Sequence, residues 1–430
     1  MPDRKLRRNP IFRILLILLM TVTTVIAWNI TVFLSISEGW FKSPTASTDT
    51  SLAFSSAVAQ NVHAEHNGNF GMILIENGET AERYFMSTGE PVDGSTVYQV
   101  ASLGKWITAW GVVLLVEDAA IDLDKPVSDY LTRWQLPASE FDTSGVTIRR
   151  LLSHTAGLND GLGYDGFDRA AEVQSLESSL TWARDASPGN SGLLGLGSAP
   201  GSEWKYSGGG YTILQLLIEE VSRQSFADFM AERVFIPLDM QHSTFSHDDA
   251  LRFGLAENFD LQGNTEPFRR YTALAATSLF TSADDLALFI RAQTHSDGQS
   301  ILSDQALAVM RSPHASQMGA DIWGLGPMLY APNNAGGHII GHDGNNGPAI
   351  NTVARFDPAT GDGIVILSTG SDILATRLAG EWVFWKTGNI DSLMFLMLFE
   401  TIALWMGAGS LIIVVLGAVF AWRTRKPKRS

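Results

Sequence analysis

The stretch Val100–Val116, VASLGKWITAWGVVLLV, decides how the rest of the chain is read. As a helix it places Leu103, Trp106, Ile107, Trp110 and Leu114 on one stripe at three- and four-residue intervals, which is the pattern of a buried helix. Ser102 falls in its first turn and Lys105 three residues later, so both side chains leave the same face about one turn apart. A serine hydroxyl is a weak nucleophile until a base takes its proton. A lysine can be that base only where burial or cationic neighbours lower its pKa. The positive end of the helix would stabilise an alkoxide or oxyanion at the same place. Spacing alone is a weak signal, because a chain of this length offers roughly one S-x-x-K by chance. The alternative for Ser102 and Lys105 is an N-cap serine beside a solvated lysine. A second copy, Ser202 to Lys205 in APGSEWKYS, follows a Pro-Gly turn and opens no apolar helix, so it is read as coincidence.

Outward from this helix, FGMILIEN and TAERYFMSTG surround a Gly turn as two β-branched and aromatic runs, the pattern of a hairpin. After AIDLDKPVSDYL and VTIRRLLSHTAGL the periodicity is mainly helical through residue 330, notably in YTILQLLIEEVSR and in SADDLALFIRAQ, where Ser282 is the expected cap. HIIGHDGNN, AINTVARFD and GDGIVILST then read as three strands broken by Gly, Pro and Asn turns, and Leu374 to Trp385 as a closing helix. Strands at both ends with helices between them imply an α+β fold: one antiparallel sheet assembled from both ends of the chain and flanked by helices. The serine would sit where sheet and helical insert meet. Residues 186–201, rich in Gly, Ser and Pro, read as a long surface loop near it.

The 430 residues carry no cysteine and a net charge of −15. Disulfides and thiolate metal sites are therefore excluded, and the apolar segments indicate the compartment instead. Residues 14–37 hold no charge and follow Arg4, Lys5, Arg7, Arg8 and Arg13, which fits an uncleaved signal anchor. A second uncharged run, Thr401 to Trp422, ends in Arg423, Arg425, Lys426, Lys428 and Arg429. Basic clusters on both outer flanks put the two termini in the cytoplasm and everything between outside, across the cytoplasmic (inner) membrane. Without those ten basic residues, Asp3 and Glu400, the middle holds 20 basic against 43 acidic residues, which argues against nucleic acid as a partner. The expected organisation is a tail over 1–13, a span over 14–37, a Ser/Thr-rich linker over 38–56, a hydrolase domain over 57–388, a second span over 392–422 with its core at 401–422, and a tail over 423–430. Glu400, at the edge of that core, reads as solvated.

Three further stretches, LLSHTAGL, PGSEWKYSGGGYTILQLLIE and GHDGNNG, follow the Ser102 helix in order. With VASLGKW and DLDKPVSDYL they resemble the penicillin-recognising serine hydrolases, in particular the branch with class C β-lactamases, D-alanyl peptidases and related esterases. The resemblance runs from about residue 55 to 386 and extends to IPLDM and SLFTSADDLALF; S-x-x-K with two further motifs is that family's combination. It implies a β-lactamase-like fold with Ser102 as the acylated nucleophile and Lys105 as its activator. Tyr206 takes the place of the tyrosine of Y-x-N, and His342, Asp343 and Gly344 stand where the family has K-T-G or H-x-G. Gly344 would let substrate lie along an edge strand, and the N–H of Asn345 would join that of Ser102 as an oxyanion hole. Gly208 replaces the asparagine of the second motif, and no lysine stands at 342. His342 would be mostly neutral near pH 7 unless Asp343 raises its pKa, and on an ideal strand Asp343 points away from the face His342 uses.

Other signals are weaker. His63 with His66, and His338 with His342, have metal-compatible spacing, but without HExxH or Cys they read as solvated or structural, and no metal or cofactor is expected. His154 reads as a hydrogen-bonded loop residue. No G-x-S-x-G elbow is present, since Val100 stands where glycine is needed. The expected function is a membrane-anchored serine hydrolase acting through an acyl-enzyme on a small-molecule or peptide ester or amide outside the cytoplasm. The alternative is a catalytically weak binding or sensor domain on the same fold.

Overall fold

The computed structural model describes residues 10–160, 163–294 and 300–425. Most of the two expected cytoplasmic tails lies outside the described residues. Strand β1 (Phe70–Glu76) is apolar at nearly every position because both of its faces are covered. Phe70, Met72 and Leu74 enter one core and Ile73 and Ile75 another, as the period-two alternation of a strand requires. With β2 (Glu79–Met86), β1 forms the expected hairpin.

The short strand β3 (Val97–Gln99) pairs with β4 (Phe280–Ser282) in a separate two-stranded sheet. The remaining six strands are β5 (Ala315–Gln317), β6 (Ala320–Trp323), β7 (Met328–Pro332), β8 (His338–Asn346), β9 (Ile350–Phe356) and β10 (Gly363–Thr369). The large sheet runs β2-β1-β10-β9-β8-β7-β6-β5, with every neighbour antiparallel. N-terminal β1 closes on C-terminal β10, Ile73 facing Val365, so the sheet is assembled from both ends of the chain.

Helices cover both faces. On one side, Phe54, Val58 and Val62 of helix Ser51–Glu65 pack with Leu378 and Trp382 of helix Leu374–Thr387. On the other side lies the insert, centred on helix Gly104–Glu117, whose Trp106 and Trp110 both meet Phe289. Twelve of the fourteen residues of that helix are buried, so apolar groups surround it rather than forming one stripe. Ser282 caps the helix Ala283–Arg291 by accepting the N–H of Asp285.

Three expectations need correction. The linker expected over 38–56 ends early: Thr50 caps a helix beginning at Ser51, and the compact unit holding the sheet runs from Thr45 to Thr387. The Ser/Thr content masked a four-residue apolar repeat. Strands β5, β6 and β7 were not expected, because they are short and carry pairing irregularities that break any alternation. The second span divides into a short helix, Ser392–Met397, capped by Asp391, and a long one, Phe399–Arg425.

The chain on either side of the sheet unit forms a unit of its own. Ile11–Ser37 and Phe399–Thr424 are helices of 27 and 26 residues, each with mean hydropathy 2.3, long and apolar enough to cross a membrane. Trp28 abuts Gly409 and Thr21 abuts Gly417, so the two run antiparallel. Asn29 Nδ2 donates to Ser410 Oγ at 2.9 Å and Trp28 Nε1 to the Trp405 carbonyl at 3.0 Å. Small residues and interhelical hydrogen bonds of this kind join helices in lipid.

Candidate active site

Ser102 lies in a tight turn, Ala101–Leu103, that runs directly into helix Gly104–Glu117. The residue before it, Ala101, is buried and left-handed at φ 51°. For a residue with a Cβ that conformation costs about 1–2 kcal/mol. The surroundings impose it: Val100 N–H donates to the Leu279 carbonyl at 2.9 Å, and the Val100 carbonyl accepts from Thr352 Oγ1 at 2.8 Å. Strand β9, through Thr352, and the segment holding Leu279 thus hold the turn from two sides.

Lys105 is 1 % exposed, and its Nζ donates to Ser102 Oγ at 3.0 Å and to the Ala276 carbonyl. Burial pushes its pKa down to about 7, against the pull of the Asp160 carboxylate. Its Nζ lies 5.0 Å from the ring centre of Tyr206. The phenol of Tyr206 hydrogen-bonds Ser102, while burial raises its pKa. Lys105 is therefore the group beside Ser102 able to lose its proton near neutral pH.

Behind Tyr206 stands His154, ring centres 4.3 Å apart, with its own backbone left-handed at φ 57°. Its Nδ1 accepts from the Ser207 N–H at 3.1 Å, and burial drives its pKa well down, so it acts as a neutral backing group.

Strand β8 supplies the third side. β7 pairs with it only as far as Gly341, and among the described residues no strand pairs with the stretch beyond on that edge. A Cβ at Gly344 would sit 2.1 Å from the Val100 carbonyl and 2.4 Å from Thr352 Oγ1, so only glycine lets β8 lie against the Ser102 turn. Asn345 then lines the same cavity as Ser102. His342 is turned inward instead. It is 1 % exposed, its Nδ1 meets the Asp343 carbonyl at 2.6 Å, and burial pushes its pKa down to about 3. It is thus neutral, packed against Trp323, and absent from the cavity lining. Asp343 points to the opposite face, where its carboxylate accepts from Arg355, Tyr330 and Thr376. Its charge raises the His342 pKa, but burial outweighs it and the ring stays neutral.

Gly208 opens helix Gly208–Ser222, capped by Ser207. The place of a side chain there is taken: a Cβ would lie 2.9 Å from Gly163 Cα and 3.2 Å from the Tyr164 ring. The cavity, about 220 Å3, is lined by Ser102, Lys105, Gly208 and Asn345 together with Tyr164, Asp165, Ser187, Ala276, Thr277, Asn346 and Gly347. Ser187 comes from the expected surface loop.

Sequence reasoning missed Asp160, Tyr164, Asp165 and the Ala276 carbonyl. Asp160, raised in pKa by burial, accepts from Ser207 Oγ and from Gly209 N–H at 2.7 Å and so ties the second motif to the loop after LLSHTAGL. The one available signal was its position two residues beyond that motif. A backbone carbonyl leaves none.

Residues 54–381 match the Beta-lactamase family. The chain is 32 % identical over 188 residues to penicillin-binding protein 4* of Bacillus subtilis (strain 168), covering 42 % of this chain and 38 % of that protein. It is 29 % identical over 299 residues to penicillin-binding protein 4 of Amycolatopsis lactamdurans, covering 66 % and 74 %. Among solved structures it is similar in fold to the octameric penicillin-binding protein homologue from Pyrococcus abyssi, with a TM-score of 0.66 and 23 % identity over 78 % of this chain and 77 % of that one. The match spans the sheet, the insert and every motif described above, and the chain belongs to the Beta-lactamase family of serine hydrolases.

Proposed function

We propose that this chain is a serine hydrolase held in the cytoplasmic membrane by two spans, with its sheet domain outside, that cleaves an ester or amide through an acyl-enzyme on Ser102. The observation that carries the reading is the buried Lys105 amine 3.0 Å from Ser102 Oγ. Neutral Lys105 takes the Ser102 proton as Oγ attacks the carbonyl, and the N–H groups of Ser102 and Asn345 receive the oxyanion. Tyr206, which hydrogen-bonds Ser102 and lies beside Lys105, relays that proton to the leaving group. The acyl group stays on Oγ until water, deprotonated by the same pair, releases it as an acid. Flanking basic clusters and the antiparallel pairing of the long helices support termini on one side of the membrane.

Gly208 favours a second reading, a domain that acylates but turns over poorly, because no amide side chain reaches Lys105 from the second motif. To decide, the detergent-solubilised full chain is given a nitrophenyl ester and product is followed past one equivalent. Continued release that disappears in Ser102→Ala supports the hydrolase. A burst of one equivalent with no further release supports the second reading, and no burst contradicts both.

A further inference from the structure

The charges lining the cavity indicate what kind of substrate it admits. Among the described residues, Asp165 is the only charged one on the wall apart from Lys105, and its exposed carboxylate has no ion-pair partner among them. Directly behind it lies Asp185, whose carbonyl accepts the Asp165 N–H at 2.7 Å. Asp185 is 5 % exposed, and its carboxylate oxygens receive no hydrogen bond from any other described residue. Burial and the neighbouring Asp165 push its pKa up to about 6, which leaves it largely charged at neutral pH. Of the nearby cations, Arg269 pairs with Asp168, and Arg184 lies over the Phe167 ring and donates to the Glu172 carbonyl, reaching Asp185 through its field and not through a hydrogen bond.

Among the described residues of the wall, the opposite charge has no receiver besides Lys105. His342 is neutral and turned inward, and Arg355 is held on the far side of β8 by Asp343. A substrate carboxylate entering here would meet the Asp165 carboxylate on the wall, the buried Asp185 close by and, among the described residues lining the cavity, no cation besides Lys105. A substrate ammonium would meet a carboxylate and strengthen its field with a second one behind it.

From this we infer that Asp165, backed by Asp185, forms a cation subsite, and that the hydrolase acts on esters or amides bearing a positively charged amine. The inference rests on the hydrolase reading above. It is tested with two pairs of isosteric esters that differ only in charge. The first pair carries the charge on the acyl side, the nitrophenyl esters of trimethylammonioacetate and of 3,3-dimethylbutanoate. The second carries it on the alcohol side, acetylcholine and 3,3-dimethylbutyl acetate. For each pair the ratio of kcat/KM, cationic over neutral, is measured on the full chain and on Asp165→Asn, so that intrinsic reactivity cancels. The expected result is a fall of about ten-fold in the ratio for at least one pair, as removal of one favourable charge contact predicts. Unchanged ratios in both pairs, with the neutral esters still cleaved, overturn the cation subsite and leave the hydrolase standing. If wild type cleaves no ester and Ser102 takes no acyl group, both fall together.

Discussion

Ser102–Lys105 and Ser202–Lys205 are the same four-residue pattern, and the fold treats them in opposite ways. In the first, the lysine is buried and its amine reaches the serine hydroxyl at 3.0 Å. In the second, both residues are exposed, Ser202 Oγ donates back to the Ala199 carbonyl at 2.7 Å, and Lys205 contributes its backbone N–H to the His154 carbonyl. Spacing brings a hydroxyl and an amine within reach, but desolvation decides whether the amine can act as a base. A buried helix start supplies that desolvation and a Pro-Gly turn does not.

Substitution tests this contrast most severely. Ser102→Ala is expected to abolish turnover and Lys105→Ala to lower kcat/KM by about a thousand-fold or more, with the fold retained by circular dichroism. Ser202→Ala and Lys205→Ala are expected to stay within about two-fold of wild type, since exposed positions without a packing role change little. Comparable losses in the two pairs would break the contrast.

Substrate choice sharpens it next. With no cation at position 342 and Tyr164 filling the space of a second-motif side chain, the site lacks one charge-assisted and one neutral hydrogen bond for a β-lactam. Their absence is worth roughly 2–4 kcal/mol, or about thirty- to a thousand-fold in rate. A nitrophenyl ester is therefore expected to exceed a chromogenic cephalosporin in kcat/KM by that margin. Gly208→Asn is expected not to narrow it, because its Cβ meets the Gly163 backbone. A higher value for the cephalosporin would show that these residues do not control selection.

The approach of β8 to the Ser102 turn gives the next largest effect. In Gly344→Ala the new methyl meets the Val100 carbonyl, the strand must move away, and acylation should slow by about ten- to a hundred-fold with a stability loss of about 1–3 kcal/mol. Unchanged acylation would show that Asn345 is not positioned by this contact.

The smallest expected effect is the response to pH. Lys105 must be neutral to accept a proton, and a lysine is neutral above its pKa, so acylation should rise with pH through about 7 and level off beyond it. Below that point the rate should fall about ten-fold per pH unit. A rising limb that continues to pH 10 would place Lys105 in water, like Lys205.

Much of this was legible because the chemistry sits on strongly patterned segments. The apolar run after Ser102, the Gly at 344 and the three C-terminal strands each carry a periodic or steric signal that survives without coordinates. What was not legible depends on contacts distant in sequence. The Ala276 carbonyl on Lys105, the Tyr164 ring over Gly208 and the left-handed Ala101 come from segments with no shared pattern, and short strands β5 to β7 lack one of their own. The helix Ser51–Glu65 was hidden by its serines, two of which, Ser51 and Ser55, are buried beside the Phe54, Val58 and Val62 that make the apolar contacts.

The most direct measurement is the site of covalent labelling. The detergent-solubilised full chain is exposed to a fluorophosphonate, weighed intact and mapped by peptide mass. One adduct on Ser102, absent from Lys105→Ala on the same time scale and never found on Ser202, is the predicted result. A folded protein that stays unlabelled, or that carries its label on Ser202, would contradict the account.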